Sequence, residues 1–216
     1  MFVPPIYKGP VEDEHSWVRL IIDENPLATL VTNGDSVPHA SRIPAILPGT
    51  SAEPLEGREV SCHLNRSNPH WQSLEDGAHA LLIFDGPTHY VCPSVYEPDP
   101  AAPTWDFVSV HVIGVITRVP SGDETFNIVR RTAELLEARF GDGCDYRNSW
   151  KYFHEILPGV GAFRIRILSV DAMFKLSQEK SPVVQQRIID RFRAAEESDG
   201  SKMASLMKAF GLGELQ

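Results

Sequence analysis

Strict alternation of apolar and polar residues recurs between Leu27 and Leu168, and three-to-four-residue spacing takes over in separate stretches. The two periods mark strands and helices respectively. Residues 12–24 carry Trp17, Leu20 and Ile21 at helical spacing and stop at Asn25-Pro26. Leu27–Thr32 and Val37–Leu47 read as strands joined at Asn33-Gly34-Asp35, a hairpin signal. Arg58–Asn65 is a third strand. His79–Phe84 and Thr88–Cys92 are two more, separated by Asp85-Gly86-Pro87. Asp106–Val119 reads as a long strand with Val108, Val110, Val112 and Ile116 on one face. Glu124–Phe140 is helical, with Phe126, Val129, Ala133, Leu136 and Phe140 on one side and Gly141 as its stop. Trp150–Leu157 is a shorter helix. Gly161–Leu168 alternates Phe163, Ile165 and Ile167 against Arg164 and Arg166. Helices over Pro182–Glu196 and Lys202–Phe210 close the chain.

No parallel strand–helix–strand alternation occurs in this order. It predicts an α+β domain built on a small β-barrel over residues 1–180, with a C-terminal helical extension over 181–216.

The sharpest local pattern lies where the third strand ends. Val60, Cys62 and Leu64 share one face, and Ser61, His63 and Asn65 share the other. Asn68-Pro69 then suits a helix start, with asparagine as the cap and proline in the first turn. His63 therefore sits on the polar face of a rigid strand, with Arg66, Asn68 and His70 in the same corner. A lone histidine is most often a hydrogen-bonded structural residue, but this setting also suits a cofactor or metal ligand. Arg66 and the helix start at Asn68 suit an anionic group. His39 and Arg42 face opposite sides of their strand, so only one of them enters a given pocket. Tyr90, Tyr96, Glu97, Trp105 and Asp106 gather polar and aromatic groups around the proline-rich stretch 93–103. His111 reads as a satisfied core histidine. Lys175 reads either as a solvated lysine or as a partner for a phosphate or propionate.

Composition narrows the class. The 216 residues carry a formal net charge of -9, which argues against a broad nucleic-acid surface. No apolar run is long enough to span a membrane, and no leader pattern opens the chain, so a cytoplasmic protein is expected. The cysteines Cys62, Cys92 and Cys144 form no CxxC pair, which disfavours a zinc or disulfide framework. Phosphate-loop, dinucleotide, zincin and nucleophile-elbow motifs are absent.

In sequence order, several blocks resemble the PaiB-like proteins, often labelled FMN-binding negative transcriptional regulators. They are Pro4, Leu27–Thr32, Ser41-Arg-Ile-Pro44, His63 with Asn68-Pro-His-Trp71, and Gly86-Pro-Thr-His-Tyr90. Pro103-Thr-Trp-Asp-Phe107, His111 with Gly114, and Phe174-Lys-Leu-Ser-Gln178 complete the set. The resemblance implies a split β-barrel, a homodimer and a cofactor site near the subunit interface. Two departures stand out. Where the family has Ser-Trp-Tyr and Thr-Trp-Asn-Tyr, this chain has Ser94-Val95-Tyr96 and Thr104-Trp105-Asp106-Phe107. That combination resembles the haem-dependent piperazate synthases of the same family.

By that resemblance, His63 matches the axial iron ligand of haem b. The implied reaction closes N5-hydroxy-L-ornithine, an amino-acid substrate, to L-piperazate. An N–N bond forms and water is lost. Such a site needs orientation, a proton for the departing hydroxyl and a counter-charge for carboxylates. Tyr90, Glu97 and Asp106 are the expected proton donors. Arg42, Arg66, Asn68, Lys175 and Gln178 are the expected cofactor-binding residues beside His63. The alternative is an FMN-binding regulator or flavin oxidoreductase at the same crevice, because FMN and haem are both flat and anionic.

Overall fold

Six strands close a barrel in the order β1-β2-β3-β6-β5-β4 in the computed structural model. It describes residues 1–10, 13–49, 54–96, 101–143, 145, 147–195 and 198–214. The strands are β1 (Leu27–Thr32), β2 (His39–Ile46), β3 (Glu59–Asn65), β4 (His79–Val91), β5 (Thr104–Arg118) and β6 (Val160–Lys175). The α+β barrel is therefore the one the alternation predicts, and the split-barrel class the one the resemblance implies.

The chain divides into two compact units. The first contains residues 25–84 and 111–170, and the second contains 1–24, 85–110 and 171–216. The long strands β4, β5 and β6 contribute to both.

In the barrel unit, β3 pairs antiparallel with β6, so His63 lies opposite Ala162 and Leu64 opposite Gly161. β2 pairs with both β1 and β3. The inward residues of β3, Val60, Cys62 and Leu64, are buried, while Ser61 and His63 are only partly covered. Phe163, Ile165 and Leu30 are wholly buried with them. Each such side chain contributes about 1.5–3 kcal/mol relative to exposure, which sets the register and the facing of every polar neighbour. Gly161 is required by this packing: a Cβ there would lie 2.4 Å from the Trp71 ring. Gly161→Ala is expected to cost about 1–3 kcal/mol, read as a lowered urea midpoint with unchanged slope.

Helices α2 (Pro69–Ser73), α3 (Asp123–Phe140) and α4 (Trp150–Ile156) complete this unit. Asn68 caps α2 as the sequence predicts, its side chain accepting from the His70 amide at 2.9 Å. Helix α3 differs from expectation in its buried face. Thr125, Ile128 and Thr132 are buried, not the stripe from Phe126 to Phe140. The reason is α4: Phe126 stacks on His154 at 4.0 Å and meets the Trp150 ring edge-on at 6.0 Å. The aromatic stripe is shared between helices, and the smaller side chains face the sheet.

Two turn signals are also overridden. Thr32 pairs with His39, so residues 33–38 form a six-residue connection, longer than the turn expected at Asn33-Gly34-Asp35 with a strand from Val37. A Cβ on Gly34 would lie 2.3 Å from the Val37 carbonyl oxygen, so the loop folds against that glycine. Asp85-Gly86-Pro87 runs extended within β4 and does not divide it. A Cβ on Gly86 would stand 3.0 Å from Val108 Cβ, so glycine there permits a close approach of backbone to β5.

In the second unit, α1 (Glu14–Glu24) buries Val18, Ile21 and Ile22, while Leu20 is exposed. Helices α5 (Pro182–Ala194) and α6 (Ser198–Ala209) bury Ile188, Ile189, Phe192, Met203 and Met207. Phe210 packs against both Trp17 and Phe174, at 4.6 and 5.2 Å between ring centres. The C-terminal helices thus share one core with α1 and the end of β6. No helix among the described residues is long and apolar enough to cross a membrane.

Candidate functional site

The polar face of β3 opens into a groove of about 470 Å³ in the barrel unit. Its walls are Ile43, Pro44, Leu64, Ile156 and Val160, and its polar groups are Arg42, His63, Asn65 and Asn68. Three predicted site residues, His63, Arg42 and Asn68, therefore meet at one place.

His63 is the chemically open member of this set. Its Nδ1 is buried and has no hydrogen-bond partner among the described residues. Burial holds its pKa below the ordinary value, so the ring is neutral at neutral pH and offers a lone pair. Arg42 reaches the hydroxyl of Thr29 at 3.3 Å. His39 does not enter the groove and instead stacks on His70 at 5.2 Å. The opposite facing of His39 and Arg42 thus resolves in favour of Arg42.

His70 has the opposite character to His63. It is buried, with Nε2 2.9 Å from Thr32 Oγ1 and Nδ1 2.9 Å from Ser41 Oγ. Asn68 donates to the same Ser41 hydroxyl at 3.4 Å. A chain from Thr32 through His70 and Ser41 therefore holds Asn68 at the groove. Burial, with His39 adding to it, keeps the His70 pKa low and the ring neutral. Sequence reasoning misses Thr32 and Ser41 as partners because 38 and 29 residues separate them from His70.

Arg66 is turned to other work. Its Nε donates to the Val160 carbonyl at 2.8 Å, and its guanidinium lies 5.3 Å from the Trp71 ring centre. It ties the end of β3 to β6 and is not part of the groove lining. His111 is half-buried, opposite in facing to the wholly buried Val110 and Val112.

The remaining predicted residues belong to the second unit. Asp106 is wholly buried. Its Oδ2 accepts from the Ser177 hydroxyl at 2.7 Å, and its Oδ1 has no partner among the described residues. Burial pushes its pKa up to about 6, against the opposing pull of the Ser177 hydrogen bond and the Lys175 ammonium. Ser177 adopts φ 58°, a left-handed conformation rare for a side-chain-bearing residue, which marks this turn as strained. Lys175 donates to Thr104 Oγ1 and to the Trp105 carbonyl. Gln178 is spent within its own turn, donating to the Phe174 carbonyl and accepting from the Leu176 amide. Tyr90 is exposed and lies edge-on to Trp105 at 5.7 Å. Val95 and Tyr96 are buried, and the Tyr96 hydroxyl has no partner among the described residues. Glu97 lies outside the described residues.

No three His, Cys, Asp or Glu side chains converge on a metal position among the described residues. An iron held through His63 must therefore bring its other ligands with it, as a porphyrin does. The unpartnered imidazole, the apolar walls and Arg42 fit that group.

Residues 1–169 match the family described as "Putative FMN-binding domain". "Protease synthase and sporulation protein PAI 2" of Bacillus subtilis (strain 168) is 24% identical over 208 residues, covering 96% of this chain and 97% of that protein. Among solved structures, the conserved hypothetical protein Rv2991 from Mycobacterium tuberculosis is similar in fold, with a TM-score of 0.53 at 10% identity. That match covers 83% of this chain and 92% of the other. The FAD and haem binding protein from Mycobacterium smegmatis aligns with a TM-score of 0.49 at 18% identity, over 73% of this chain and 70% of that one.

Proposed function

The chain belongs to the FMN-binding-domain family of PaiB-like split barrels, and from that premise we propose that it is a haem-dependent piperazate synthase. The observation that carries this reading is the His63 imidazole, neutral and with no hydrogen-bond partner among the described residues, in the lining of an apolar-walled groove. A flavin phosphate would find at most a neutral N–H donor in this imidazole, whereas a haem iron would find a nitrogen ligand.

The substrate is N5-hydroxy-L-ornithine. The bond formed joins its α-nitrogen to N5, the bond broken is N5–O, and the oxygen leaves as water with no net oxidation. Bound haem supplies the Lewis-acidic centre that makes the hydroxylamine nitrogen electrophilic. His63 would hold that group through its neutral imidazole. Arg42 offers the counter-charge for a propionate or the substrate carboxylate. Asn68, fixed by the His70–Ser41 chain, orients a polar edge of the bound molecule. Ile43, Leu64 and Val160 give the bound molecule an apolar wall. Asp106, its buried carboxyl pushed up to about 6, is one of three proton-donor candidates. Tyr90 and Glu97 remain the comparison positions for mutation. The working protein is taken as a cytoplasmic homodimer.

The test is direct. Protein produced with haem available is expected to show a Soret band, and incubation with N5-hydroxy-L-ornithine is expected to yield piperazate by mass spectrometry. A yellow protein that releases FMN on denaturation and leaves the substrate unchanged supports the second reading, a flavin-binding regulator or oxidoreductase. That reading is favoured by the family match alone.

A further inference from the structure

A second recess in the barrel unit leads to an inference independent of the haem reading. Ile46 lies opposite Ser61 across β2 and β3, and Ser61 lies opposite Arg164 across β3 and β6. Three strands therefore set an apolar, a hydroxyl and a cationic group in one row. Helix α3 borders that row with Glu124, Asn127, Ile128 and Arg131, leaving an open recess of about 260 Å³. Positions 124, 127, 128 and 131 share one helix face because they repeat every three or four residues. The recess shares no lining residue with the groove at His63.

Its charges are unevenly committed. Arg164 donates to Glu124 at 2.6 Å and lies 3.6 Å from a Glu59 oxygen. That carboxylate pair accounts for Arg164. Arg131 has no carboxylate partner among the described residues, and neither the Ser61 hydroxyl nor the Asn127 amide has a hydrogen-bond partner there. The lining thus presents two guanidiniums to one carboxylate, with two vacant polar groups beside them. Ile46 and Ile128 are buried and give the recess an apolar side.

We propose that this recess binds a small 2-hydroxy or 2-oxo monocarboxylate with a branched aliphatic tail. The carboxylate pairs with Arg131, whose planar fork matches it. The 2-oxygen lies between Ser61 and Asn127, and the tail covers Ile46 and Ile128. A zwitterion fits less well, because Glu124 is already paired. A phosphate dianion exceeds the single uncommitted positive charge and makes no use of the apolar side.

The experiment titrates the full-length protein with 2-hydroxy-4-methylpentanoate, with its neutral amide and with inorganic phosphate. It is followed by calorimetry and by amide shifts at Ser61 and Arg131. The acid is expected to bind at least about tenfold more tightly than either control. Arg131→Gln is expected to weaken it by a similar factor, and Arg131→Lys to restore part of the loss. Both substitutions lie on an exposed helix position and should leave the unfolding midpoint unchanged. Equal binding of the amide, equal binding of phosphate, an unaffected Arg131→Gln protein, or no binding by wild type would each overturn the proposal. None of these outcomes depends on the cofactor at His63.

Discussion

His63→Ala is expected to abolish the Soret band of haem-supplied protein and to lower piperazate formation on the order of a hundredfold or more. The argument rests on what the imidazole does not do in the protein alone. Its Nδ1 has no hydrogen bond to lose, and its pKa is held down only by burial. The unfolded histidine binds a proton below about pH 6.5, whereas the folded one resists it to lower pH. This group therefore subtracts stability as pH falls from the unfolded pKa through the folded one. Alanine removes that term. The cofactor-free variant should unfold at the same midpoint as wild type at pH 7.5 and resist acid slightly better. A structural histidine behaves the other way, losing stability at every pH when removed. Addition of imidazole to His63→Gly should restore part of the band and part of the activity. A Soret band unchanged in position and intensity in His63→Ala sinks the ligand assignment.

His63 is legible in the sequence, and Asp106 only half so, because the two depend on interactions of different range. The facing of His63 depends on three apolar neighbours two residues apart, and Val60, Cys62 and Leu64 are buried as the period requires. The Asn68 cap depends on its own next two residues. Both are local. Arg66 and Gln178 read as cofactor-binding by residue type and family position. The structure shows Arg66 bonded to the Val160 carbonyl, 94 residues away, and Gln178 closing its own turn. A charge or amide near a site says nothing about which backbone oxygen competes for it. The same limit explains the buried side of α3. The sequence shows an apolar stripe at Phe126, but not that α4 supplies a second surface to receive it. The shorter hairpin turn and the break in β4 do not form because glycine serves either a positive φ or a close contact. At Gly34 and Gly86 close contact is the need.

Asp106 gives the second large effect, and its sign is opposite to that of the histidines. Burial raises its folded pKa from 3.8 to about 6. The folded state therefore binds the proton more tightly than the unfolded one. The stabilisation is fully present below the unfolded pKa and is lost as pH rises through about 6. The difference amounts to about 3 kcal/mol between pH 3 and pH 8. Asp106→Asn keeps an acceptor for the Ser177 hydroxyl and carries no charge. Its urea-unfolding free energy is expected to match wild type near pH 4 and to exceed it by up to about 3 kcal/mol at pH 8. His63 and His70 remain, so the variant's stability should decline only on the acid side, below about pH 6.5. If Asp106 is the proton source for the leaving hydroxyl, the same substitution lowers kcat by roughly 10²–10⁴. The wild-type rate should then fall as pH rises through about 6, following the protonated fraction of the buried carboxyl. A variant that is more stable at pH 8 yet fully active separates the two roles. The buried carboxyl would then serve only the Ser177 turn it bonds, and the proton would have to come from Tyr90 or Glu97. A variant with the wild-type stability profile removes the buried carboxylate from both accounts.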